Sequence, residues 1–170
     1  MELEKVSKEF VYNTMRELLF SFNYVWFKFE EWIKQKHPEE FKSEEFKRMY
    51  EEFGAYEARR LIKVLNISKG NLDELIVALQ HSHWCIFENV ELTKISENKF
   101  RMRTLNCSAQ KAAKKWGKGH YDCRWVGLLL RTGFLKAINP KVNVQRIFTP
   151  PEKKPNNIPK DVSCEWIISI

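Results

Sequence analysis

The apolar residues of this chain change their spacing once, near Gln80, and that change limits what it can fold into. Before Gln80 they recur at steps of three and four, the repeat of a helix face. After it they alternate with polar residues, the repeat of a half-buried strand. Helices first and strands later describe an α+β fold rather than alternating βα units.

In the helical part, Ser7 is placed to cap a helix running over about 7–36. Val11, Met15, Leu18, Leu19, Phe22, Trp26, Phe29 and Ile33 give it one apolar face. Phe20, Tyr24 and Phe27 widen that face, so the helix is expected to pack on more than one side. Pro38 ends it, because proline disfavours helix in the residue before it. Such a density of aromatics suits a core, a pocket wall or a dimer face. A second helix is expected over 43–65, with Phe46, Met49, Tyr50, Phe53, Ala58, Leu61 and Val64 inward. Gly54 interrupts it and marks either a close approach or a kink. A turn over 66–71 leads to a short amphipathic helix over 72–80.

Residues 83–92 then read as a strand, 96–99 as a turn and 100–105 as the returning strand of an antiparallel hairpin. A basic helix follows over 108–116 and a more apolar one over 123–138. Two further strands, 141–148 and 161–170, flank a proline-rich linker. The expectation is therefore a ββααββ half with a four-stranded antiparallel sheet, covered by helices on one face. One domain over 1–170 is expected, with a helical half over 1–80 and a sheet-containing half over 81–170. The second half needs the N-terminal helices to cover its sheet.

With 170 residues, 44% of them hydrophobic, the chain can bury one good core. Its net charge of +7 points to acidic partners: an anionic small molecule, nucleic acid or a membrane surface. Within the most apolar stretch, 18–32, Asn23, Lys28, Glu30 and Glu31 exclude a membrane span. Residues 1–10 are charged and no apolar leader follows, so the expected location is cytoplasmic. In that compartment four cysteines act as free thiols, metal ligands or a nucleophile more readily than as disulfides.

Three of the cysteines fall at ends of expected elements: Cys107 at a strand end, Cys123 at a helix start, Cys164 on the last strand. Such positions can converge on one pocket. As metal ligands, Cys107, Cys123 and Cys164 with His83 or His120 would suit tetrahedral zinc. As a nucleophile, Cys107 at a helix start would have its thiolate stabilised by backbone N–H groups and by Lys111. Gln110 could then donate to an oxyanion, and His120 or Asp122 could move protons. As plain small hydrophobes, the thiols would only fill a core. Lys111, Lys114, Lys115 and Lys118, with Arg124 and Trp116, could cradle a substrate anion. Trp125 and Trp26 are the aromatic candidates for contact with that substrate. The same lysines could form a nucleic-acid surface, the least favoured of these readings. His81 and His83 would share one strand face. Glu165 alternates with Cys164 and Trp166, so it should point away from both and pair with a basic side chain.

The order Cys107-x-x-Gln110, Gly117, Tyr121-Asp122-Cys123 with Gly127, Ile138-Asn139-Pro140, Pro150-Pro151 and Cys164-Glu165-Trp166 resembles one family. It is the L-2-amino-thiazoline-4-carboxylic acid hydrolase-like group of short bacterial and archaeal proteins. Trp26-Phe27 with Glu30 and Tyr56-Glu57-Ala58-Arg59-Arg60 are similar too, so the resemblance spans most of the chain. The cysteine-bearing C-terminal half is more distantly similar to vinyl-reductase-type small-molecule-binding domains. The resemblance implies a small-molecule site and, as an activity, ring-opening hydrolysis of a cyclic amidine on an amino-acid-like anion. The chain departs from the family ahead of Pro150-Pro151, where Gln145 and Phe148-Thr149 stand where members often carry cysteines. That departure leaves open a non-catalytic ligand or metal sensor, with a homodimer as one assembly it could form.

Overall fold

A computed structural model describes residues 6–170, and every side chain among them but that of Phe87. The described chain divides into two compact units, Met1–Ser43 and Glu44–Ile170, so the boundary falls well before the change of period at Gln80.

The first unit holds α1 (Lys8–Lys36) and α2 (Pro38–Lys42). Ser7 caps α1 as expected, its hydroxyl accepting from Phe10 N at 3.1 Å. His37 closes α1, and Pro38 then opens α2, where its missing N–H costs nothing. The sequence had shown only the stop. On α1, Val11, Met15, Leu18, Phe22, Val25, Phe29 and Trp32 are all exposed. These residues do not share the burial expected of an inward helix face.

The second unit holds α3 (Glu44–Leu65), α4 (Leu72–Gln80), α5 (His83–Phe87), β1 (Asn89–Ser96), β2 (Lys99–Leu105), α6 (Ser108–Lys115), α7 (Val126–Ile138), β3 (Asn143–Phe148) and β4 (Val162–Ser169). The fold is α+β, with one antiparallel sheet in the order β1-β2-β4-β3. The ββααββ order stands. One face of the sheet carries Phe100, Met102, Cys164, Trp166 and Ile168 into the core. There they join Ala58 of α3, Leu75 and Leu79 of α4, Trp84 of α5, and Phe134 and Leu135 of α7. Helices from before Gln80 thus complete the sheet's cover, as the alternation demanded.

Gly54 marks a close approach rather than a kink. A Cβ there would lie 2.2 Å from Leu130 O, and one at Gly133 would lie 2.0 Å from Glu51 O. Facing glycines let the backbones of α3 and α7 meet. Val64, expected inward, is exposed instead, as it falls off the buried side carrying Tyr50, Gly54 and Ala58.

The first half of the segment expected to be a strand from His83 is helix. Ser82 O accepts from Cys85 N and Ile86 N, and Glu57 of α3 accepts from His83 N at 2.6 Å. That long-range cap closes a helical turn, and β1 begins only at Asn89. His81 and His83 therefore share no strand face. The ring of His83 instead meets Glu57 at 2.7 Å, while that of His81 meets Val77 O at 2.8 Å.

Candidate functional site: a buried thiol centre

Cys107 is the N-cap residue of α6, and the positive-φ Asn106 turns the chain from β2 into that helix. Its backbone N–H is held by Ser163 Oγ at 3.1 Å. The next N–H, that of Ser108, donates to both oxygens of Glu88, at 3.0 and 2.9 Å, and the Ser108 hydroxyl donates to Glu88 as well. A carboxylate therefore occupies the helix end that was expected to stabilise a Cys107 thiolate. The Cys107 thiol itself faces Glu88 Oε1 at 3.8 Å. Burial first, and the Glu88 charge second, push the Cys107 thiol up to about 12. Burial also pushes the Glu88 carboxyl above its ordinary range.

Cys123 precedes α7. Its N–H donates to Pro150 O at 3.1 Å, and its carbonyl accepts from Gly127 N at 3.0 Å. Gln110, one turn into α6, grips the same segment. Its Nε2 donates to Tyr121 O at 2.8 Å and its Oε1 accepts from Tyr121 N at 3.2 Å. The amide nitrogen also lies 3.4 Å from Cys123 Sγ. Gln110 thus fixes the Tyr121–Cys123 turn, so its donor is engaged with the backbone rather than waiting for an oxyanion. Burial, then the neighbouring Cys107 and Cys164, hold the Cys123 thiol well above its usual value.

Cys164 on β4 is buried and accepts from the indole N–H of Trp166 at 3.3 Å. The segments that carry the three cysteines adjoin, since Cys107 N bonds Ser163 beside Cys164 and Gln110 of α6 lies against Cys123. Among the described residues, however, no three His, Cys, Asp or Glu side chains are grouped to hold a metal ion, so the proposed zinc ligand set is not assembled.

The other predicted residues are engaged elsewhere or exposed, though Lys111 N donates to Cys107 O at 3.1 Å. His120 is exposed on the loop after α6, where its N–H donates to Lys118 O. Lys111, Lys114, Lys115 and Lys118 are exposed. Arg124 is exposed and clasps Asp122, with Nε 3.0 Å from Oδ1 and Nη2 2.6 Å from Oδ2. Trp125 packs edge-on against Tyr50, centroids 5.2 Å apart. Trp26 belongs to α1 in the other unit, its ring tilted against that of Phe29 with centroids 6.2 Å apart. Glu165 points away from Cys164, as its alternation implied, and pairs with Arg103 across the sheet at 2.6 Å.

Two residues at the centre were missed. Arg131, a turn after Gly127 on α7, is buried with its guanidinium 4.6 Å from the Trp166 ring centroid and 5.7 Å from that of Trp84. The spacing Cys123, Gly127, Arg131, at i, i+4 and i+8 of one helix face, was the available signal. Cys85 on α5 also feels Arg131, and burial raises its thiol to about 11.

What the fold defines is an α+β protein with a four-stranded antiparallel sheet. The chain belongs to the family of unknown function DUF6125, whose model matches residues 7–170. No curated protein and no solved structure matches it. Among the described residues no helix is long and apolar enough to cross a membrane.

Proposed function

We propose that this protein is a small-molecule-binding domain whose ligand sits at the thiol centre. The observation that carries the reading is the hydrogen bonding that joins the three cysteine segments: Cys107 N to Ser163, beside Cys164, and Gln110 of α6 to Cys123. Structural cysteines need no such meeting, whereas a ligand site does. The ligand is a small anion, which suits the positive balance of the chain. Binding is favoured over catalysis by Cys107 or Cys123, because these two thiols stay protonated at neutral pH and a thiol attacks as its thiolate. Hydrolysis of a cyclic amidine rests on the resemblance to thiazoline hydrolase-like proteins and is the second reading.

One experiment separates the two. The protein is labelled with 13C at cysteine Cβ and titrated with amino-acid-like carboxylates, including 2-aminothiazoline-4-carboxylate. Joint movement of the Cys107, Cys123 and Cys164 resonances with the compound unconsumed is the expected result. Consumption that Cys107→Ser abolishes would replace binding with hydrolysis. If no compound moves these resonances, the reading fails.

The partner for α1 is a second copy of the chain. Val11, Met15, Leu18, Phe22, Val25, Phe29 and Trp32 follow strict four-three steps, the seam of a two-helix coiled coil, and all are exposed. Sedimentation of the full chain should give a dimer that Leu18→Glu with Val25→Glu dissociates. A monomer at all concentrations would end this reading.

A further inference from the structure

Arg131 is a buried cation with nothing of opposite charge bonded to it among the described residues. Only 8% of its surface is exposed. Its Nη1 donates to Gly127 O at 3.0 Å, and the indoles of Trp166 and Trp84 lie near the group. Nε is buried without an acceptor. Burying a charge without a paired anion is costly. The indole rings offset part of that cost through their negative faces, but they cannot accept the in-plane N–H bonds of the guanidinium edge. The neighbouring thiols Cys85 and Cys123 do not supply the anion, since both remain protonated at neutral pH.

The bonds of Arg131 leave one side of the fork open. With Nη1 engaged by Gly127, the remaining edge is Nε–Nη2, the pair that meets a carboxylate through two parallel N–H···O bonds. A second unused donor lies on the adjoining ring: Trp84 Nε1 is buried with no acceptor. A third unmet polar atom, Thr149 Oγ1, is buried next to Pro150, whose carbonyl holds Cys123 N. Gly127 lets the cluster close up, since a Cβ there would lie 3.1 Å from both Arg131 Nη1 and Trp166 Cζ2.

The geometry points to Arg131 as the anion-recognising residue of this centre, its Nε–Nη2 edge taking the carboxylate of a small organic acid while Trp84 donates a further N–H. This deepens the small-molecule reading above and rests on it. One guanidinium matches a singly charged planar carboxylate. A tetrahedral dianion such as sulfate or phosphate would call for more positive charge than these buried residues hold.

The test uses the full chain, 15N-labelled, with the Arg131 Nε–H and Trp84 indole resonances assigned from Arg131→Lys and Trp84→Phe. Formate, acetate and glycolate are titrated at matched ionic strength against chloride, sulfate and phosphate. Saturable movement of both resonances by the carboxylates alone is expected. Arg131→Lys should weaken binding about tenfold or more, because an ammonium cannot present the fork. Trp84→Phe keeps the ring and should weaken it less. Equal movement by chloride, a response to sulfate or phosphate only, or unchanged affinity in Arg131→Lys would overturn the assignment. So would resonances that no anion moves, which would leave water as the partner of that edge. If the cysteine resonances still respond to a ligand while Arg131 does not, the thiol-centred site stands and only its carboxylate class falls. Silence from both removes both.

Discussion

Cys107 and Glu88 meet at one helix end, and the carboxylate takes the N–H of Ser108 while the thiol stays protonated. Two predictions follow from that arrangement. At pH 7 to 8 a thiol-specific reagent should modify Cys107 and Cys123 in the folded protein far more slowly than in denaturant. Glu88→Gln removes the second cause of the raised Cys107 value, so it should speed Cys107 modification without bringing its pKa down to neutral pH, because burial remains. A Cys107 rate unchanged by Glu88→Gln would show that the carboxylate does not act on the thiol. Glu165 offers a different residue-scale test. Its pair with Arg103 is mostly buried, and Glu165→Gln leaves a buried guanidinium without its anion. A loss of about 3 kcal/mol in denaturant unfolding is expected, with Arg103→Met/Glu165→Leu much closer to neutral. The alternation of β4 had placed Glu165 opposite Cys164. Only the register Arg103↔Glu165 could supply its partner.

At the scale of elements, the crossing of α3 and α7 depends on two glycines. Gly133→Ala puts a methyl against the Glu51 carbonyl and Gly54→Ala one against Leu130, with backbone on both sides unable to yield. Each should cost about 3 kcal/mol or more by chemical unfolding, the upper end of overpacking. A cost under half that would mean the helices can slide apart. Gly54 was legible as an interruption in a helical pattern, but its consequence needed α7 beside it. The opposite failure occurred at α5. Its five residues include aromatic and β-branched side chains that suit a strand, and a local reading had no access to Glu57, which caps His83 from α3. The positions of α1 and α4 were legible because their caps are carried in neighbouring residues, and those of β2 and α6 because their periods are.

At the scale of the whole molecule, the buried thiols make stability fall at high pH. Cys85, Cys107 and Cys123 have folded values above the ordinary 9.0, Cys85 at about 11 and Cys107 at about 12. The unfolded chain therefore releases these protons first. Their contribution is intact below pH 9 and is lost as pH rises toward 12, at up to ~1.4 kcal/mol per pH unit for each thiol in that window. Unfolding followed from pH 8 to 11 should show this slope, and Cys107→Ala should flatten it; a slope identical in the variant would remove Cys107 as a cause. The sequence alone determined the α+β class, a four-stranded antiparallel sheet with its first hairpin, and the candidate cysteines. Periodicity and element ends are local properties, and they survive without knowledge of the rest of the chain. Tertiary structure decided what those cysteines face. It gave the helix end to Glu88 and committed Gln110 to a backbone turn. It also brought the unpaired charge of Arg131 between two indoles. Burial and long-range partners set those outcomes, and neither is written in the spacing of residues along the chain.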